Sequence, residues 1–177
     1  MVIYGAKGIT ARAQARDLLA QAAREVWGLS ELPEIARQGG GKPFFPAYEE
    51  LQFNLSHSRE LALCVLDHTP VGVDIQIVKE WRASLPQRVC SAQEMAWLEE
   101  QPCRWPAFTQ LWALKECRVK ESGTGLTGLI RGISVPLPAE TSVRLDGLWF
   151  RSYTGPGWAA AVCGRSQPPE GIIWRDL

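Results

Sequence analysis

Between Leu51 and Val78 three apolar runs follow one another so closely that only turns can separate them: Leu51 to Leu55, Leu61 to Asp67 and Val71 to Val78. The breaks, Ser56-His57-Ser58-Arg59-Glu60 and His68-Thr69-Pro70, carry turn-forming residues, and the spacing predicts an antiparallel meander of three strands. The third run alternates. Val71, Val73, Ile75 and Ile77 belong to one face, and Gly72, Asp74, Gln76 and Val78 to the other, so Asp74 and Gln76 project together. A chain of 177 residues with 46% hydrophobic and 21% charged residues can bury a core behind such strands, which excludes wholesale disorder.

Helical patterns flank the strands. After a short strand at Met1 to Tyr4, Ile9 to Trp27 has apolar residues at helical spacing and Gly28 where a C-cap belongs. A loop follows through Pro33 and Gly39-Gly40-Gly41-Lys42-Pro43. Ser91 and Glu94 have capping-box spacing ahead of a short helix that stops before Pro102. A second helix is predicted from near Pro106 to about Glu121, with Gly123 beyond its end. Strands are expected at 132–135, 141–145, 148–153 and 158–163. A helix followed by strands thus occurs twice, which predicts an α+β protein of two similar halves, residues 1–79 and 80–177, packed as one unit.

Several function classes fall away. Lys plus Arg and Asp plus Glu both number 19, so no charge excess points to nucleic acid. The apolar runs are far shorter than the roughly 18 residues of a membrane-spanning helix. Met1-Val2-Ile3-Tyr4-Gly5 lacks a signal-peptide pattern, so a cytoplasmic location is expected. Five cysteines without any Cys-x-x-Cys argue against a disulfide framework or a zinc site. No Gly-x-Ser-x-Gly elbow is present, and with two histidines a Cys-His pair has little support.

Metal-assisted group transfer is the better class. Asp74 lies inside an apolar strand, where a carboxylate needs a partner, a hydrogen bond or a cation. Glu116 and Lys120 are four apart on the predicted helix and share a face, either as a solvated ion pair or as part of a site. Lys115 falls inside the apolar arc, where it must snorkel or meet an anion. Ser56, His57 and Ser58 at a strand end offer donors to phosphate oxygens, or simply form a turn. The glycine run before Lys42 is no P-loop, since Pro43 stands where Ser or Thr would touch magnesium, although Lys42 could contact a phosphate.

Taken in order, Gly41-Lys42-Pro43, Phe53-Asn54-Leu55-Ser56-His57-Ser58, Val71-Gly72-Val73-Asp74-Ile75-Gln76 and Trp112-Ala113-Leu114-Lys115-Glu116-Cys117-Arg118-Val119-Lys120 with Gly123 and Gly125 resemble the 4′-phosphopantetheinyl transferases of the surfactin-synthetase-activating type. The resemblance implies a pseudo-dimer of two α+β halves with coenzyme A in the cleft between them. It implies transfer of phosphopantetheine to a serine of an acyl or peptidyl carrier protein, with adenosine 3′,5′-bisphosphate leaving. On this resemblance Asp74, Glu116 and Gln76 face magnesium, Glu116 is the candidate base and Lys120 meets the diphosphate. Ser56 and His57 contact phosphate, Lys42 borders coenzyme A, and Arg12 lies near the nucleotide's 3′-phosphate. A monomer is expected, because both halves of the site occur in one chain.

Two departures stand out. Gln76 replaces a third acid found in many members and adds no charge. Between Gly5 and Ile9 the chain lacks roughly thirty residues that longer relatives use partly for basic contacts to coenzyme A, a role open here to Lys7 and Arg16. They leave open a member that binds coenzyme A or a carrier protein without transfer. A hydrolase of nucleotide diphosphates is a third reading. Carrier docking is expected after the second helix, where Leu126, Leu129, Ile130 and Arg131 suit an acidic helix or fill the core.

Overall fold

A computed structural model describes residues 1–11, 13–125 and 130–177. In chain order the elements are β1 (Val2–Lys7), α1 (Gln14–Trp27), β2 (Ala36–Arg37), β3 (Pro43–Phe44), β4 (Gln52–Ser58), β5 (Leu61–Asp67) and β6 (Val71–Ile77). There follow α2 (Leu85–Val89), α3 (Ala92–Glu99), α4 (Arg104–Ser122), β7 (Val143–Leu145), β8 (Leu148–Gly155), β9 (Trp158–Gly164) and β10 (Ile173–Arg175). The class is α+β.

The strands form two four-stranded sheets, ordered β10-β1-β5-β4 and β6-β9-β8-β7, beside a small β2-β3 hairpin. The expected meander is therefore corrected. β4 and β5 pair as a hairpin, but β6 leaves that sheet and pairs along its length with β9, Asp74 opposite Ala161. Asp67 builds the corner at which the chain leaves: its carboxylate accepts from the His68 N–H at 2.7 Å, the Thr69 hydroxyl and the Ser166 hydroxyl. Alternation along β6 fits either neighbour, so the pattern alone did not choose. β10 returns from the far end of the chain to lie parallel to β1.

Alternating side chains explain why β5 is buried on both faces. Ala62, Cys64 and Leu66 pack under α1, while Leu61, Leu63 and Val65 meet Val71, Val73, Ile75, Ala160 and Val162 of the second sheet. On the far side Ala161 and Cys163 of β9 pack beneath Ala113, Leu114 and Cys117 of α4. The layers thus run α1, first sheet, second sheet, α4.

The helix signals hold with shifted starts. The Thr10 and Ala11 N–H groups are capped by the Gln14 side chain, so α1 begins later than its apolar pattern. Gly28 and Gly123 close α1 and α4 at φ 69° and 70°, left-handed values that suit glycine. The Ser91 and Glu94 capping box is present. The stretch 133–135 is not a strand but follows a 3-10 turn at Ile130–Gly132. Among the described residues no helix is long and apolar enough to cross a membrane.

Candidate active site

β4 and β6 lie side by side as edges of different sheets, and no backbone ladder joins them. Side chains close the seam instead. Asn54 Oδ1 accepts the Val73 N–H at 3.2 Å, Ser56 Oγ the Ile75 N–H at 3.2 Å, and Ser58 Oγ the Ile77 N–H at 3.1 Å. Every second residue of β4 therefore caps every second residue of β6. The Asn-x-Ser-x-Ser alternation carried this signal, which the reading of Ser56 and Ser58 as turn or phosphate donors missed.

Ser56 is the hub. Its hydroxyl donates its one proton to Asp74 Oδ1 at 2.8 Å and accepts from the Ile75 N–H and from Lys120 Nζ at 3.0 Å. One donor and two acceptors are its full capacity, so the hydroxyl has no proton left for a phosphate in this arrangement. Lys120 Nζ also donates to Asp74 Oδ1 at 2.6 Å and to the Val73 carbonyl at 3.2 Å. The helix ion pair considered for Glu116 and Lys120 is thus replaced by one between Lys120 and Asp74. Gln76 donates its amide N–H to Asp74 Oδ2 at 2.8 Å, leaving its carbonyl oxygen unused by that bond.

Gly72 makes this convergence geometrically feasible. A Cβ there would lie 2.0 Å from the Cys117 carbonyl oxygen and 2.5 Å from the Glu121 nitrogen, so only glycine lets α4 lie this close on β6. The approach brings Glu116 toward Asp74. Burial raises the Glu116 pKa, the Asp74 charge raises it further, and Lys120 opposes both. Among the described residues no N–H or hydroxyl donates to the Glu116 carboxylate.

Beside this cluster, and lined by its member Lys120, opens a cleft of about 520 Å³. Phe53, Leu55, Ile35 and Val119 give it apolar walls, and Arg16, Arg37, His57 and Lys120 give it polar or basic ones. His57 is exposed, and its side chain has no hydrogen bond among the described residues. Arg37, which the sequence reading missed, comes from β2 and donates to the Gly41 carbonyl at 2.8 Å. Lys42 also borders the cleft but is only 8% exposed, and its ammonium donates to the Glu121 carbonyl at 2.7 Å and the Val71 carbonyl at 3.2 Å. Arg12 and most of the expected docking segment, Leu126 to Leu129, lie outside the described residues.

Lys115 meets the anion its burial required. Its ammonium pairs with Glu94 Oε1 at 3.0 Å and donates to the Ile130 and Ile133 carbonyls, with side chains 1% and 6% exposed. The same Glu94 caps α3 through the Ser91 N–H. The pair fixes the residue before Glu116.

A family profile described as the 4′-phosphopantetheinyl transferase superfamily matches residues 70–163, the span from the start of β6 to the end of β9 that contains Asp74, Glu116 and Lys120. The chain belongs to this superfamily. It is 30% identical over 138 residues to 4′-phosphopantetheinyl transferase Sfp of Bacillus subtilis (strain 168), covering 73% of this chain and 62% of that protein. It is 41% identical over 121 residues to 4′-phosphopantetheinyl transferase AcpT of Salmonella typhi, covering 65% and 62%. To 4′-phosphopantetheinyl transferase psf-1 of Bacillus pumilus it is 37% identical over 137 residues, covering 72% and 59%. The chain spans about three fifths of the length of these curated relatives.

The oxygens of Asp74, Glu116 and Gln76 suit a hard cation. Among the described residues no three His, Cys, Asp or Glu side chains gather as a ready-made metal site. The cluster offers two carboxylates and an amide oxygen, a set of hard donors that a magnesium ion would complete with other oxygen ligands. The raised Glu116 pKa, with Asp74's charge beside it, is the observation that a cation there would relieve.

Proposed function

We propose that this member of the superfamily transfers 4′-phosphopantetheine from coenzyme A to a serine of an acyl or peptidyl carrier protein, as a cytoplasmic monomer. The convergence of Asp74 and Glu116 on Lys120, which lines a cleft with basic walls, carries the reading. The two helix-backed sheets are taken as halves of a pseudo-dimer, residues 1–79 and 80–177, each lending one strand to the other's sheet. Both halves of the site then belong to one chain.

Magnesium would be held by Asp74 and Glu116, with the Gln76 amide oxygen as a third donor, and when bound would neutralise charge on the diphosphate. The chain's own residues do the rest. Glu116 takes the proton of the carrier serine directly or through a water. The serine oxygen bonds to the β-phosphorus of coenzyme A, the bond from that phosphorus to the bridging oxygen breaks, and adenosine 3′,5′-bisphosphate leaves. Lys120, held on Ser56 and Asp74, stabilises the charge that grows on the leaving oxygen through its positive charge, and as a donor once its proton leaves the Val73 carbonyl. His57 and Arg16 on the wall bind the phosphates, with Arg37 beside them and Arg12 assigned from the sequence pattern.

Intact mass of an apo carrier protein tests the proposal, after incubation with this protein, coenzyme A and magnesium, and with an EDTA control. Gain of one phosphopantetheinyl group that EDTA abolishes supports it. An unchanged carrier with coenzyme A bound would make the chain a binding protein without transfer, and free phosphopantetheine would make it a hydrolase.

A further inference from the structure

We infer that Lys42 is a positioning residue that locks the end of α4 to β6, and not a ligand of the substrate phosphates. The observation behind this is the polar edge of β6. Residues 71, 73, 75 and 77 turn their backbone groups away from β9, and Asn54, Ser56 and Ser58 take the N–H groups of Val73, Ile75 and Ile77. Two of the carbonyls on that edge are met by ammonium groups, Val73 by Lys120 and Val71 by Lys42, so side chains take up these backbone groups where no neighbouring strand does.

Lys42 does a second thing that Lys120 does not. Its shorter bond goes to the Glu121 carbonyl, one of the last four of α4, which have no partner within the helix. Glu121 directly follows Lys120, so this bond fixes the turn that aims Lys120 at Asp74. The loop bearing Lys42 is seated against the same helix end, where a Cβ on Gly40 would lie 1.7 Å from the Gly123 carbonyl oxygen. Burial lowers the Lys42 pKa, with the Glu121 charge opposing. Two of the three ammonium protons rest on these carbonyls and the residue is only 8% exposed, so drawing the ammonium out toward a phosphate in the cleft would loosen the tie between α4 and β6.

The kinetic part of the test rests on the proposed transfer reaction, and the rest does not. In wild-type protein, reductive methylation read by mass spectrometry should leave Lys42 unmodified with and without coenzyme A, while the exposed Lys7 and Lys79 react. Methylation of Lys42 in the free protein, with protection by coenzyme A, overturns the inference. The variant Lys42→Met should lower kcat about tenfold or more while KM for coenzyme A moves no more than about twofold, as expected when a reacting group is misaimed. Lys42→Arg, which keeps the donors, should restore about a third of kcat. A tenfold rise in KM with kcat intact would also overturn it, and if Lys42→Met does not fold the wild-type footprint decides. A wild-type protein without transfer would refute the proposed function and leave the footprint to judge Lys42.

Discussion

Replacing Lys115 with methionine removes a charge that nothing else in the interior can replace. Its ammonium, 1% exposed at the side chain, meets Glu94 Oε1 and the carbonyls of Ile130 and Ile133, and the variant leaves all three facing an apolar chain. Breaking a buried pair from one side costs about 3–5 kcal/mol, because the remaining charge stays buried and uncompensated. For a chain of this size each kcal/mol moves the melting temperature by about 2–4 °C, so Lys115→Met should melt about 6–20 °C below wild type. Glu94→Gln keeps a donor-acceptor contact to Lys115 and should cost less, about 1–3 kcal/mol. The double variant Lys115→Met with Glu94→Leu removes both charges and should recover the part of the loss that comes from the unpaired charge, while the Ile130 and Ile133 carbonyls stay without their donor and the α3 cap loses about 1 kcal/mol. Urea unfolding followed by tryptophan fluorescence gives the full cycle. A loss below about 1 kcal/mol for Lys115→Met, the value of an exposed pair, would refute the reasoning.

Three further outcomes are expected. Gly72→Ala places a methyl against backbone atoms of α4, so it should cost about 3 kcal/mol and reduce transfer beyond the loss of folded protein; a wild-type melting temperature would contradict the close packing. Glu116 has a raised pKa, so its carboxyl favours folding below the ordinary carboxyl range and loses that contribution as pH rises through the folded value. Glu116→Gln should therefore gain stability relative to wild type between acid and neutral pH, and in a carbon-13 NMR titration of metal-free protein Asp74→Asn should lower the Glu116 midpoint while Lys120→Met raises it. Gln76→Glu should lower the magnesium concentration that gives half the maximal rate, and an unchanged titration would place that side chain away from the ion.

Local chemistry was legible where one element decides the outcome. The β6 alternation put Val73 and Ile75 in the core between the sheets and Asp74 toward α4. Gly28, Gly123 and the Ser91 with Glu94 capping box marked helix ends that the structure shows. Partners across elements were not legible. Nothing local to β6 says whether its neighbour is β5 or β9, and the corner that decides it depends on Asp67 meeting Ser166, 99 residues away. Lys115 announced the need for an anion, but Glu94 could be named only once α3 lay against α4. Lys42 read as able to contact a phosphate and it does border the cleft, but that its ammonium engages carbonyls of β6 and α4 could be seen only once those elements lay beside its loop.

The central claim is that Asp74 and Glu116 act together in the transfer step. Single-turnover transfer to an apo carrier protein, with saturating coenzyme A and magnesium, should be compared for wild type, Asp74→Ala and Glu116→Ala. Each variant should react at least about a hundredfold more slowly while remaining folded, the scale expected when a group that stabilises transition-state charge is removed. Transfer within about threefold of wild type by either folded variant would contradict the claim.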